Sequence, residues 1–359
     1  MMGQGSSGEH RPSAEGGTFL PALVISLILS VSAGIFAGSY SYAMANPTPR
    51  TLPVAVVERP GASAADETAA VDAFLRALER GLDSSIETRR VESYQQAVEE
   101  IEGQRVFAVV GAARGGPDDG GGSGSAGSGD GSGARLELDL AGAAGASVAE
   151  LLERAAPKAA RETGNEITVR DIRPLHPGDP RGLALFYMNL AVVICGFLGA
   201  IQLGVHASRL RPLERIGVIA GYSLLGGLCV VAAVDWLLDV VPLPFPQSWL
   251  TLAATMFTAG MLFTMFNTLL GRWALIPTWA LLVLLGNPSS GGAVSWPLLP
   301  SVLGTVGRWL PPGASVNAQH TAVYFSGHQH AQPYLVLAGW SALSCAVFWT
   351  WRRRHPGGR

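Results

Sequence analysis

Six apolar runs dominate the chain, and runs of that length fit a lipid bilayer far better than a water-soluble core. A crossing helix needs about 20 apolar residues to traverse roughly 30 Å of hydrocarbon. The runs are Thr18–Ala43, Leu183–Val205, Ile216–Val241, Trp249–Leu270, Trp273–Leu285 and Pro333–Trp351. The first two carry no charge, and the third acquires Asp235 and Asp239 near its far end. The fifth is short, contains Pro277, and runs into the Gly/Ser-rich segment 286–292. Trp296–Leu310 is apolar but broken by Pro297 and Pro300 and followed by Pro311 and Pro312. It is expected to dip into the outer leaflet rather than cross, as part of a re-entrant segment over 287–332. Backbone at that depth must be buried in protein or face a watery cavity.

Charge tells the same story from the other side. Only 14% of residues are charged, against about 25% in soluble domains, and most of them crowd into 50–182. A membrane protein with one water-facing insert has this distribution. The net charge of −2 gives no case for nucleic acid as a partner. Cys195, Cys229 and Cys345 all lie in apolar runs, so neither a disulfide framework nor a metal site is expected from them.

Arginine in short loops orients the runs. Arg209, Arg211 and Arg215 fall in the first short loop, Arg272 in the next turn, and Arg352–Arg354 in the C-terminal tail. With six spans, all three groups face one side, the cytoplasm. Residues 1–17 and 352–359 are then cytoplasmic tails, and the protein is a multi-pass protein of the cell membrane. The first span, 18–45, ends in Ala43-Met44-Ala45, which also suits a signal-peptidase site. Trp249, Trp273, Trp349 and Trp351 sit at span ends, where aromatic belts form.

The insert, 46–182, reads as a small extracytoplasmic α/β domain. Strands are expected at Leu52–Val57, Ile86–Val91, Arg105–Val110, Arg135–Leu140 and Glu166–Ile172 from β-branched and alternating patterns. Helices are expected over Asp66–Leu82, from Ser93 with Gln96 as a capping box to Ile101, and from Ser147 with Glu150 to near Pro157. The order is β-α-β-α-β, loop, β-α-β, with parallel and mixed pairing both open. The Gly/Ser/Asp-rich stretch 115–133 is expected to be a disordered loop.

This layout resembles the permease of ABC type-2 exporters, in its phage-infection-protein-like (Pip-like) branch. The resemblance rests on Leu52–Val57 directly after the first span, on Ser93–Ile101 followed by Arg105–Val110, and on the Gly/Pro-rich segment before the last span. It departs from the branch at Glu58-Arg59-Pro60, where members often have Asn-x-Asp, and in the Gly-rich loop. The resemblance implies a dimer, homomeric or heteromeric, driven by a separate cytoplasmic ATPase. It puts the ATPase contact at the first cytoplasmic loop, with Arg209, Arg211, Glu214 and Arg215. It puts the outer pore segment at Gly291, Gly292, Trp296, Pro300 and Pro311.

Little else in the sequence points to chemistry. No Gly-x-x-x-x-Gly-Lys-Ser/Thr loop is present, so ATP is not expected to bind here. No catalytic residue, cofactor or metal site is expected. Asp235 and Asp239 are four apart and would share a helix face, which suits a proton or cation site or two carboxylates meeting water. His320, His328 and His330 are expected in a solvated loop. Gly196, Gly199, Gly217, Gly221, Gly226 and Gly227 would let helices approach closely. The arginine loop is also explained by topology alone. Two further functions remain open: a non-transporting surface or phage-docking protein, and an ion-coupled carrier.

Overall fold

The computed structural model describes residues 51–58, 64–113, 134–207 and 209–355, and helical positions 27, 30–31, 34–35, 37–38 and 40–42 of an N-terminal helix. Most of the first expected span, the tail 1–17 and the loop 115–133 lie outside the described residues.

Five strands form one mixed sheet in the order β2-β1-β3-β4-β5. They are β1 Thr51–Val57, β2 Ser85–Val91, β3 Ala108–Ala112, β4 Arg135–Leu140 and β5 Glu166–Asp171. β1 runs parallel to β2 and β3, β3 antiparallel to β4, and β4 parallel to β5. Pairing is therefore mixed, which settles the choice the sequence leaves open. The central strands are buried, whereas the edge strands β2 and β5 are largely exposed and charged, a pattern that discourages pairing with other chains.

Alternation along β1 divides the core in two. Leu52, Val54 and Val56 face a layer made by α1 (Ala64–Leu82) and α3 (Ala146–Glu162). Ala55 faces α2 (Tyr94–Glu102) through Ala97 and Ile101. α2 begins as expected, with Ser93 Oγ accepting from Gln96 N at 3.2 Å. The reciprocal bond comes from Glu92 N, one residue earlier than a capping box places it. The box expected at Ser147 and Glu150 does not form. Gly145 is the N-cap, Ser147 lies inside α3, and Glu150 pairs with Arg154. α3 also continues through Pro157, because Ala156, Ala159 and Ala160 on its far turns are buried in the domain core.

Four described helices are long and apolar enough to cross a membrane: Ala184–His206, Pro212–Leu237, Phe245–Trp273 and Gln332–Arg354. Their α-helical parts are α4 (Ala184–His206), α5 (Pro212–Val231), α6 (Phe245–Leu270) and α10 (Gln332–Arg354). α7 (Leu275–Trp279) continues into a π-helical stretch, Ala280–Gly286. At 1.5 Å per residue that combined helix reaches only about 18 Å, too short for a full hydrocarbon crossing. Irregular chain, α8 (Ser301–Gly307) and α9 (Pro311–Tyr324) follow it.

Chain direction puts the α/β domain at one end of this bundle. The expected cytoplasmic arginines stand at the other, where Arg215 feels the charge of Arg352. Close helix contact depends on glycine at a few points. A Cβ on Gly196 of α4 would lie 2.4 Å from the Met256 carbonyl of α6, and Tyr222 Oη of α5 donates to the Gly196 carbonyl at 2.7 Å. Gly217 and Gly221 have open space around them and take no part. Cys195 and Cys229 are exposed on the helix surfaces and Cys345 is half-buried, all as free thiols.

Candidate functional site at the domain–bundle junction

A cleft of about 1410 Å³ lies between the α/β domain and the segment 287–332. One wall is an end of the sheet: the starts of β1 and β3 and the segments that follow β4 and β5, from Thr51 and Phe107 to Gly142 and Asp171. The other wall is formed by the entry to α4 and by α8 and α9.

Several contacts hold the walls in register. Ser295 N donates to Ser147 Oγ at 2.9 Å, and that hydroxyl donates to Ser295 Oγ at 2.9 Å. Gln104 Nε2 donates to Thr321 Oγ1 at 3.2 Å. Val294, Leu298 and Leu299 complete the larger domain core, and Phe325 completes the smaller one. The domain is thus packed on the bundle rather than tethered to it. Asp179 fixes the covalent junction. Its two carboxylate oxygens accept from Leu183 N at 3.0 Å and Ala184 N at 2.9 Å, which caps α4 with a favourable charge.

The five outer-segment residues singled out from sequence all fall in one unit beside this cleft. Gly291 has φ +81°, and a Cβ there would lie 2.5 Å from the Trp296 ring. Trp296 Nε1 donates to the Ser289 carbonyl at 3.2 Å, and the Arg308 guanidinium lies 4.9 Å from the Trp296 ring centre. Gly292 packs between Phe186 and Val316. Pro300 precedes α8 and Pro311 opens α9. Deeper still, Gly307 passes the Ser289 backbone so closely that a Cβ would sit 1.8 Å from its carbonyl oxygen.

The bundle interior also holds polar side chains. Asn189 Nδ2 lies 3.5 Å from Asn287 Oδ1, and Asn287 is within reach of the Tyr40 hydroxyl. Thr255 Oγ1 donates to Ser315 Oγ at 2.7 Å, and Gln319 Nε2 to the Ser248 carbonyl at 2.8 Å. Among the described residues, Asn189 Oδ1, Gln319 Oε1 and Ser248 Oγ are buried with no hydrogen-bond partner. Such orphaned groups are costly in a dry interior.

His320 corrects an expectation. It stands in α9, half-buried, with its ring 5.4 Å from Tyr324 and 5.8 Å from Phe325. Burial pushes its pKa down to about 4, against a smaller upward pull from the Ala143 backbone. His328 Nδ1 lies 3.9 Å from Glu102 of the domain. No group of three metal-binding side chains occurs among the described residues.

Asp235 and Asp239 are joined by a backbone bond, Asp239 N donating to the Asp235 carbonyl at 3.1 Å, but not within a regular α-helix. α5 widens into a π-helical turn at Ala232–Leu237, and Asp239 lies beyond it with φ +49°. The residues therefore do not share an α-helical face. Asp239 is exposed and Asp235 half-buried.

At the other end, Glu214 Oε2 accepts from Arg211 N at 2.9 Å, so this acid caps α5. Arg215 Nη2 reaches the Ala207 carbonyl at 3.3 Å. Arg209 and Arg211 are exposed. Glu214 is exposed as well.

Sequence reasoning missed Ser147, Ser295, Gln104 and Thr321, whose role depends on contacts 148 and 217 residues apart. Arg308 had a signal, as the only Asp, Glu, Lys or Arg in 287–332. No family model, curated protein or solved structure matches the chain.

Proposed function

We propose that this protein is the membrane-spanning permease subunit of an ABC-type exporter, driven by a separate cytoplasmic ATPase. The observation that carries the reading is the large cleft at the domain–bundle junction, together with orphaned amide and hydroxyl groups in the bundle interior. A bundle with only an anchoring role would fill that space with apolar side chains. The resemblance to Pip-like permeases supports the same reading, as does the placement of free Arg209 and Arg211 at the opposite end. In this scheme six spans, counting the N-terminal helix and the short α7, put the α/β domain outside and both tails in the cytoplasm. The partner ATPase presses on the arginine loop, and the bundle shifts against the docked domain. The working unit is a dimer.

The test is reconstitution. Native membranes are cross-linked from Arg209→Cys, the captured ATP-binding subunit is purified, and its ATP turnover is measured in liposomes with and without this chain. Stimulation that is lost in an Arg209→Glu, Arg211→Glu double variant is the expected result. Turnover identical with and without the chain would sink the exporter assignment.

A further inference from the structure

α8 is two-sided. Val302 is 70% exposed and Val306 36%, and Trp309 just beyond it is 61% exposed. Its other side carries Gly304, Thr305 and Arg308 into the cleft. The helix is fastened to the first turns of α10. Gln332 Nε2 donates to the Arg308 carbonyl at 3.0 Å, and Trp340 Nε1 donates to the Trp309 carbonyl at 2.9 Å. An apolar, tryptophan-bearing surface at the start of a crossing helix belongs at the level where headgroups meet acyl chains.

Charge is sorted between the two walls. On the membrane wall stand Arg308 and Arg181, both exposed. Neither makes an ion pair or a side-chain hydrogen bond among the described residues. The other two cleft arginines are engaged, since Arg89 and Arg105 both bind Glu100, at 3.2 Å and 2.8 Å. The acids Glu87, Glu150 and Glu153 belong to the domain wall. Asp171, also on that wall, accepts from Gly142 N and Arg173 N through Oδ1.

Arg308, stacked on Trp296 at 4.9 Å, and Arg181 line the same cleft with no anionic partner among the described residues, and two such guanidiniums match the chemistry of a phosphodiester. We infer that the cleft binds the headgroup of an outer-leaflet phospholipid, its phosphate on Arg308 and Arg181 and its first acyl carbons over Val306 and Trp309. The inference rests on the outward placement of the domain proposed above. A long arginine side chain also meets phosphates in any bilayer. A built site differs in keeping its lipid after the bilayer is removed.

The experiment is native mass spectrometry of the full chain extracted in mild detergent and offered phosphatidylglycerol or the diacylglycerol with the same chains. One phosphatidylglycerol per chain is expected, with diacylglycerol retained at least roughly tenfold less, the scale of lost charge-assisted hydrogen bonds. Arg308→Ala with Arg181→Ala should lower occupancy by a similar factor, and Arg308→Lys should restore part of it. Thr305→Trp keeps both guanidiniums but fills the cleft, and it should also release the lipid. Thermal melting in the same detergent identifies any variant that fails to fold. Equal retention of diacylglycerol, unchanged occupancy in the folded double variant, or displacement by millimolar inorganic phosphate would each overturn the inference. No ATPase enters this assay, so a chain that keeps its lipid yet stimulates no ATPase breaks only the exporter reading.

Discussion

The α/β domain and the segment 287–332 meet across one cleft, yet they tolerate change differently. The domain is held by side chains: Phe74, Leu78, Leu136 and Leu152 interdigitate between sheet and helices with almost no exposed surface. The segment 287–332 adds close main-chain contact to its buried side chains. Gly307 lies on the Ser289 backbone and Gly313 on the Gly307 backbone. Both regions bury apolar side chains, but only the second depends on glycine to bring main chain against main chain. The difference teaches that substitutions adding atoms break the second region, and substitutions removing atoms break the first.

The strongest break should come from Gly307→Val. Its side chain would have to occupy the Ser289 carbonyl. The cost exceeds about 4 kcal/mol, beyond ordinary overpacking. Size-exclusion chromatography in mild detergent should show loss of the monodisperse protein. Phe74→Ala removes a fully buried ring from the domain and should cost about 3–5 kcal/mol. Amide exchange should rise across β1, β3 and β4 while protection in α6 stays unchanged.

The boundary between the regions can be probed by pH. His320 has a folded pKa of about 4, below the usual value near 6.5. The unfolded chain therefore takes up the proton first. Stability from this group is complete above about pH 6.5 and falls as pH drops toward 4. Discounted for partial solvent access, the loss is about 2 kcal/mol. Melting at pH 7.5 and 4.5 should show a steeper decline in the wild type than in His320→Gln. The smallest effect belongs to Gly81→Ala, in the last turn of α1, where an added Cβ meets nothing within 4 Å. It should stabilise the domain by roughly 0.5 kcal/mol through reduced unfolded-state entropy, a gain readable as slower amide exchange in α1.

How far each region was legible follows from the same contrast. All five strands and three helices of the domain were found within a few residues, because their faces alternate between a core and water. Sheet order was not, since strand pairing depends on contacts between distant segments. Four long apolar helices were equally visible, being uniform for at least 18 residues. The segment 287–332 showed only its breaks. Gly291, Gly292, Trp296, Pro300 and Pro311 marked its turns, but α8 is short and α9 is buried on most sides, so neither carries a period to read. Asp235 and Asp239 misled for a local reason: the four-residue rule holds for α-helix, and the chain leaves that geometry at Ala232. His320 misled because a histidine among small polar residues gives no sign of the Tyr324 and Phe325 rings that enclose it.

All of the functional reading depends on the α/β domain and the arginine end lying on opposite sides of the membrane. In a background with Cys195, Cys229 and Cys345 replaced by alanine, single cysteines at Arg80 and Arg209 can be treated with a membrane-impermeant maleimide on intact cells. Arg80→Cys should label at once, and Arg209→Cys only after permeabilisation. Labelling of Arg209→Cys on intact cells with Arg80→Cys protected would invert the topology and remove the basis for an outward cleft.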